Sequence, residues 1–265
     1  MKNNIFAFLL TYGILSLYFN LVPILFLMND LIRFFHIILF FPFAFLLAKL
    51  FYGRGLDSFG FVFPRGWGRN LVVGLLTGAF FWTLLFGIYI ATDKIEYIGI
   101  KSPTESIVPI AILLFGFGTG SLINDMLVRG LVFHHFLGKY PVPVVFLISL
   151  LLYAFDDIWY AGFSLQNTIF SIILGLSLTF TYYKTKSIWA NTGIHFGLNI
   201  IYGLFYGVTG NPGDGVILFT NGTNVSLWTN WISTIISLLM FVVLLLTIHF
   251  YTVPIKRSKN GIVEL

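Results

Sequence analysis

The chain has no cysteine, so disulfide staples and thiolate metal sites are excluded. Charge is scarce as well. Asp, Glu, Lys and Arg make up 9% of the 265 residues, against about 25% in ordinary soluble domains. No internal repeat, low-complexity run or stretch polar enough for a soluble domain is present. A cleavable leader is not expected: the first apolar run is long, has only Lys2 ahead of it and lacks a small-residue cleavage site.

What fills the chain is hydrocarbon. Hydrophobic residues make up 58%, with 31 Phe, and mean hydropathy is +0.92. A globule of this length cannot bury that much apolar surface, and a bilayer solvates it. With about 20 apolar residues needed per crossing, the sequence predicts an all-α, polytopic membrane protein, a single transmembrane domain over residues 1–265. The apolar runs fall at about 5–28, 31–51, 71–91, 107–127, 142–159, 167–183, 186–208 and 228–251, a bundle of about eight helices. The fourth run continues through Arg129 towards Leu137.

Lys and Arg favour the cytoplasmic ends of short loops. With the N-terminus inside, the inner segments hold eleven of them and the outer segments only Arg33, Lys94 and Lys101. That bias predicts an even number of crossings, both termini cytoplasmic, in an integral multi-pass protein of the plasma membrane. The net charge of +5 then follows from topology and attraction to anionic lipid, so the expected partner is the bilayer and not nucleic acid. Residues 53–70 read as an interfacial inner loop, 92–106 and 209–227 as outer loops, and the segment after Tyr251 as a polar inner tail. The second outer loop contains Asn221-Gly-Thr223 and Asn224-Val-Ser226, which fit the glycosylation pattern.

Against this background three spans carry side chains that lipid excludes. An ionisable group at the bilayer centre costs about 2.5–3.5 kcal/mol on insertion scales, so such groups mark a site by default. Asp125 and Arg129 are four apart on one helical face, where they can neutralise one another as a structural ion pair. Asn124 lies about 100° around the helix; it can donate and accept hydrogen bonds but cannot take up a proton at neutral pH. Asp156 and Asp157 close the fifth span, where a solvated helix end accommodates them, the reading favoured for Asp156. Tyr153 sits one turn before Asp157 on the same face, which leaves Asp157 open between interface and site. His195 and Asn199, again four apart, can present two N–H groups to one point, as an oxyanion hole would, or serve as a polar pair in helix packing. His134 and His135 read as interfacial residues and His36 as a packing residue.

In order and interval these groups resemble the CAAX protease and bacteriocin-processing family (CPBP, also called Abi) of integral membrane endopeptidases. That family carries Glu-Glu-x-x-x-Arg, Phe-x-x-x-His and His-x-x-x-Asn/Asp on successive helices of an eight-span bundle. Here they correspond to Asn124-Asp125-Met-Leu-Val-Arg129 followed by Gly130, to Tyr153-Ala-Phe-Asp-Asp157, and to an intact His195-Phe-Gly-Leu-Asn199. The resemblance covers about residues 55–210 and takes in the Pro64-Arg65-Gly66-Trp67 loop. It implies catalysis without metal or cofactor: the first Glu and the second-motif His activate water, the third-motif His and Asn hold the oxyanion, and the second Glu and Arg support the first. Carried across, Asn124 stands where the activating Glu would be and Asp157 where the His would be. Asp125 and Arg129 keep the supporting pair, and His195 and Asn199 the oxyanion roles.

Both departures fall on the proton-handling pair. The expected function is therefore an endopeptidase homologue with a partly substituted active site, acting on membrane-embedded or lipidated proteins and peptides. The alternative is a proteolytically inactive scaffold or immunity-type protein that binds a partner membrane protein. Three further chemistries stay open: Asp157 as proton acceptor with Asn124 orienting the water, an Asp125/Asp157 dyad, or a divalent ion on Asp125, Asp157 and His195. A transporter is disfavoured, because no paired broken spans are seen.

Overall fold

A computed structural model describes residues 5–26, 28–208, 210–224 and 227–251. The polar tail after Tyr251 and the N-terminal Lys2 lie outside the described residues. Among the described residues the chain forms eight long helices: α1 (Ile5–Phe26), α2 (Asp30–Tyr52), α3 (Trp67–Ala91), α4 (Pro103–Phe136), α5 (Val142–Ala161), α6 (Leu165–Thr185), α7 (Ile188–Tyr206) and α8 (Leu227–Tyr251). Seven are long and apolar enough to cross a membrane. The exception is α7, whose 19 residues include Asn191, Thr192, His195 and Asn199. Outward-facing side chains such as Leu50, Phe80 and Leu246 are large, apolar and exposed, as a hydrocarbon solvent requires, while polar residues gather inside.

The helix ends follow local chemistry. Asn29 caps α2 by accepting from the Ile32 N–H at 2.9 Å, and Ser164 caps α6 by accepting from Asn167 N–H at 3.0 Å. Gly66, with φ of 84°, starts α3 four residues before its apolar run. The segments expected as two outer loops instead pair with each other. β1 (Ile95–Ile100) and β2 (Ile217–Asn221) form an antiparallel ribbon from Ile95↔Asn221 to Ile100↔Ile217, with a register shift between Tyr97 and Gly99. Their β-branched and aromatic residues favour pairing, but the strands are far apart in sequence and no tight turn announces them. Asn221 of the first glycosylation tripeptide ends β2; Val225 and Ser226 of the second lie outside the described residues.

The chain divides into two compact units. The first holds residues 1–65 and 123–188: α1, α2, the second part of α4, α5 and α6. Two of its helices contain a wide π-turn, Leu17–Leu21 in α1 and Met126–Leu131 in α4. The first has a visible cause. Pro23 has no N–H to give the carbonyl of Phe19, and Tyr18 in the same turn donates to His36 O of α2 at 2.9 Å while stacking on the His36 ring at 4.3 Å. The second is tied to α5 by Ser149 Oγ, which donates to Val128 O at 2.9 Å. Next to it Gly130 seats the Leu56–Phe59 turn: a Cβ there would lie 1.8 Å from Phe59 O.

The second unit holds residues 66–122 and 189–254: α3, the first part of α4, the ribbon, α7 and α8. Its closest packing is α3 on α7. A Cβ built on Gly74 or Gly78 would stand 2.4 or 2.0 Å from the carbonyl oxygens of Ala190 and Ile194. One built on Gly193 or Gly197 would stand 2.3 or 2.1 Å from those of Leu71 and Leu75. Partner numbers rise together, so the helices run parallel, backbone against backbone. This is a reciprocal Gly-x-x-x-Gly crossing, and His195 lies inside its second half.

The crossing makes a stability prediction. Gly193→Ala should force α3 and α7 apart and cost about 1–3 kcal/mol. Gly87→Ala in the same α3 meets nothing within 4 Å and should be neutral or stabilising by up to about 1 kcal/mol. Thermal unfolding in detergent distinguishes the two variants.

Candidate functional site

In the first unit, α4 and α5 bring together most of the polar side chains singled out in the sequence. Asp125 and Arg129 form the expected ion pair, Nη1 to Oδ1 at 2.8 Å, with both side chains fully buried. The same Nη1 donates to Asn124 Oδ1 at 3.1 Å. In a regular α-helix, residues five apart lie about 140° apart around the axis. The π-turn that begins at Met126 widens the helix and lets one guanidinium reach both Asn124 and Asp125. The guanidinium also lies over the Tyr153 ring, 4.2 Å from its centroid, a cation–π contact. Its Nε and Nη2 have no hydrogen bond among the described residues.

Asn124 uses its other end on α5. Its Nδ2 donates to Asp156 Oδ2. Asp156 is therefore not the solvated helix end expected of it: it is 6% exposed, and its Oδ1 accepts from Asn20 Nδ2 at 2.7 Å. Burial of the α5 end against the π-turn of α1 explains the difference, since Asn20 sits in that turn. A chain of hydrogen bonds thus runs from Asn20 through Asp156 and Asn124 to Arg129 and Asp125. Asp157, next along α5, is held from α6 by Ser171 Oγ, which donates to Oδ2 at 2.5 Å.

Asn20 is the residue that sequence reasoning passed over, and Asp156 the one it assigned to a solvated helix end. Asn20 meets the criterion used for the others, a polar side chain within a long apolar run. Asp156 was read by its distance from the helix end, which says nothing about what packs there.

The second unit carries His195 and Asn199, one turn apart on α7. His195 is buried, between the two glycines of α7 that pack on α3. Asn199 Nδ2 donates to Ser121 Oγ at 3.0 Å. Ser121 belongs to α4, three residues before Asn124 on the same helix. His135, by contrast, is buried among the rings of Phe8, Phe136 and Tyr52, a packing residue. No group of three or more His, Asp or Glu able to hold a metal exists among the described residues.

Residues 106–201 match the model of a family described as type II CAAX prenyl endopeptidase, Rce1-like, so over that span the chain carries a domain of the Rce1-like (CPBP) intramembrane protease family. Comparison with the curated proteins and with the solved structures gives no significant match. The matched span contains all of Asn124, Asp125, Arg129, Asp156, Asp157, His195 and Asn199; Asn20 lies before it.

Two variants test the hydrogen-bonded chain. Arg129→Met leaves the Asp125 carboxylate buried without its counter-ion and should cost about 3–5 kcal/mol. Asn124→Glu sets a second carboxylate against Asp156 and removes one of its two donors, an expected loss of about 1–3 kcal/mol. Adding Asp156→Asn to Asn124→Glu reverses donor and acceptor across the same contact. The double variant should recover most of that loss in thermal unfolding; a double variant no more stable than the single would refute the assigned contact.

Proposed function

We propose that this protein is an intramembrane endopeptidase homologue that engages membrane-embedded or lipidated polypeptides, and in which the family's route to water activation is closed. The observation that carries this reading is the double engagement of Asn124. Where the resemblance puts the activating carboxylate stands an amide that donates to Asp156 and accepts from Arg129. It has no proton to exchange at neutral pH. Loss of one general base removes typically 10²–10⁴ in rate. Under this reading Asp125 and Arg129 keep the family's supporting pair. His195 and Asn199 keep N–H donors for a peptide carbonyl, and the protein binds substrate backbone as a scaffold or as an immunity-type partner would.

A second reading has one observation in its favour. Asp156 is a carboxylate hydrogen-bonded to Asn124, so an acid and an amide stand beside each other at the site. Hydrolysis would then use Asp156 to take the proton from water, with Asn124 orienting the base. Asp157, the acceptor expected from sequence, stands next to it under Ser171.

The proposed placement in the membrane is multi-pass with both ends cytoplasmic. Besides the cationic bias, the parallel run of α3 and α7 agrees with one crossing each by α4, α5 and α6 between them. Eight crossings return the C-terminus to the side of the N-terminus.

Reconstitution decides between the readings. In liposomes with lipidated and transmembrane peptide reporters, the wild type should retain peptides without cutting them. The variant Asn124→Glu/Asp156→Asn/Asp157→His restores the family's Glu and His and relieves the acid–acid clash. It should cleave at least about 100-fold faster than wild type. Cleavage by the wild type that Asp156→Asn abolishes would overturn the closed-site reading in favour of the second.

A further inference from the structure

A shallow groove of about 430 Å³ lies along the α5–α6 hairpin, ending at Leu150, one turn before Tyr153 on α5. Val142, Pro143, Phe146, Leu147, Leu150 and Leu176 line it, and none offers a polar side chain. Its floor is set by close packing. Gly175 of α6 admits Leu150 and Tyr153 of α5 to 3.0 and 3.1 Å from where its Cβ would stand. Phe146 turns inward, edge-on to Phe133 and Tyr183 with centroids 5.8 and 5.4 Å away. From Val142 to Leu150 the groove follows about 12 Å of helix. Only hydrocarbon fits such a surface.

The ends of the groove differ. At the Val142 end, the start of α5 lies beside the end of α6, as the Phe146–Tyr183 contact shows. Three exposed lysines flank that end of the hairpin: Lys139 just before α5, Lys184 in the last turn of α6 and Lys186 just after it. Lys184 Nζ and Lys186 Nζ lie 5.9 and 3.9 Å from the centroid of the same Tyr183 ring.

We propose that this is a binding site for one anionic phospholipid, with an acyl chain in the groove and the phosphate held by Lys184 and Lys186 beside Lys139. Charge at one end and hydrocarbon along the rest match the two parts of that ligand, and basic clusters at span ends recruit acidic headgroups. The site is independent of whether the protein hydrolyses peptides.

The chain has no native cysteine, so a single label reports the site. Leu147→Cys carries a bimane on the groove lip, and Leu246→Cys carries one on the exposed face of α8 as a control. Both proteins go into phosphatidylcholine vesicles containing acyl-brominated phosphatidylglycerol or acyl-brominated phosphatidylcholine. At Leu147→Cys the brominated phosphatidylglycerol should quench at a mole fraction lower by about fivefold or more, the contribution of a single lysine. At Leu246→Cys the two lipids should quench alike. Adding K184Q and K186Q, both at exposed positions, should remove the preference at Leu147→Cys. Equal quenching by both lipids at Leu147→Cys, the same preference at both labels, or a preference that survives K184Q/K186Q would each overturn the proposal.

Discussion

An ammonium or guanidinium enters a low-dielectric interior only if something holds its charge, and here that something is Asp125, with Asn124 beside it. Removing an ion from water costs several kcal/mol even after relaxation, and Coulomb attraction offsets this only when geometry is good and the remaining groups are hydrogen-bonded. The first unit meets that condition through backbone shape. The π-turn at Met126–Leu131 brings Asn124 and Asp125 under one guanidinium nitrogen, and the Tyr153 ring covers its face. Asp156 and Asn20 then follow as consequences. Once Asn124 is turned towards Arg129 by its carbonyl, its amide must find an acceptor, and Asp156 in turn must find a second donor. Each added partner satisfies a group that would otherwise be orphaned in an apolar medium.

The second unit solves a different problem. α7 has too many polar residues to be held by apolar burial alone, and lipid supplies no hydrophobic drive between helices. Contact must come from surface shape. Four glycines let α3 and α7 approach over two turns, so backbone meets backbone, and His195 lies between the two glycines of α7 that make the contact. Asn199 adds a hydrogen bond to Ser121 one turn further on. Rigid helices with defined azimuth are what a polar site in a membrane needs.

Composition and run length made the eight helices legible in the sequence, because a bilayer imposes length and apolarity on every crossing. Even the unusual fourth span could be followed through Arg129 to its end at Phe136. The Asp125–Arg129 pair was legible for a similar reason: i,i+4 spacing is a property of the helix itself. The partnership of Asp156 with Asn20 was not, because the two lie on separate helices and nothing local records which faces meet. The ribbon of β1 and β2 escaped for the same reason, its strands being more than a hundred residues apart. The Gly-x-x-x-Gly pairs lie in plain sight at Gly74/Gly78 and Gly193/Gly197, and their meaning depends on the helix opposite.

The amide at position 124 also bears on how such a site can change its chemistry while keeping its fold. The contact between Asn124 and Asp156 needs one donor and one acceptor, and it is indifferent to which helix supplies the acid. An acid on α4 with an amide on α5 would satisfy the same geometry and the same single charge, and Arg129 would still find an oxygen at position 124. What differs is where the proton-accepting group stands. A carboxylate on α4 sits three residues along the helix from Ser121, the partner of Asn199; a carboxylate at Asp156 sits on α5, with Asn20 donating to its other oxygen. Either arrangement satisfies the donor and acceptor of that one contact, and what differs is how close the carboxylate stands to Arg129, which bonds position 124 directly.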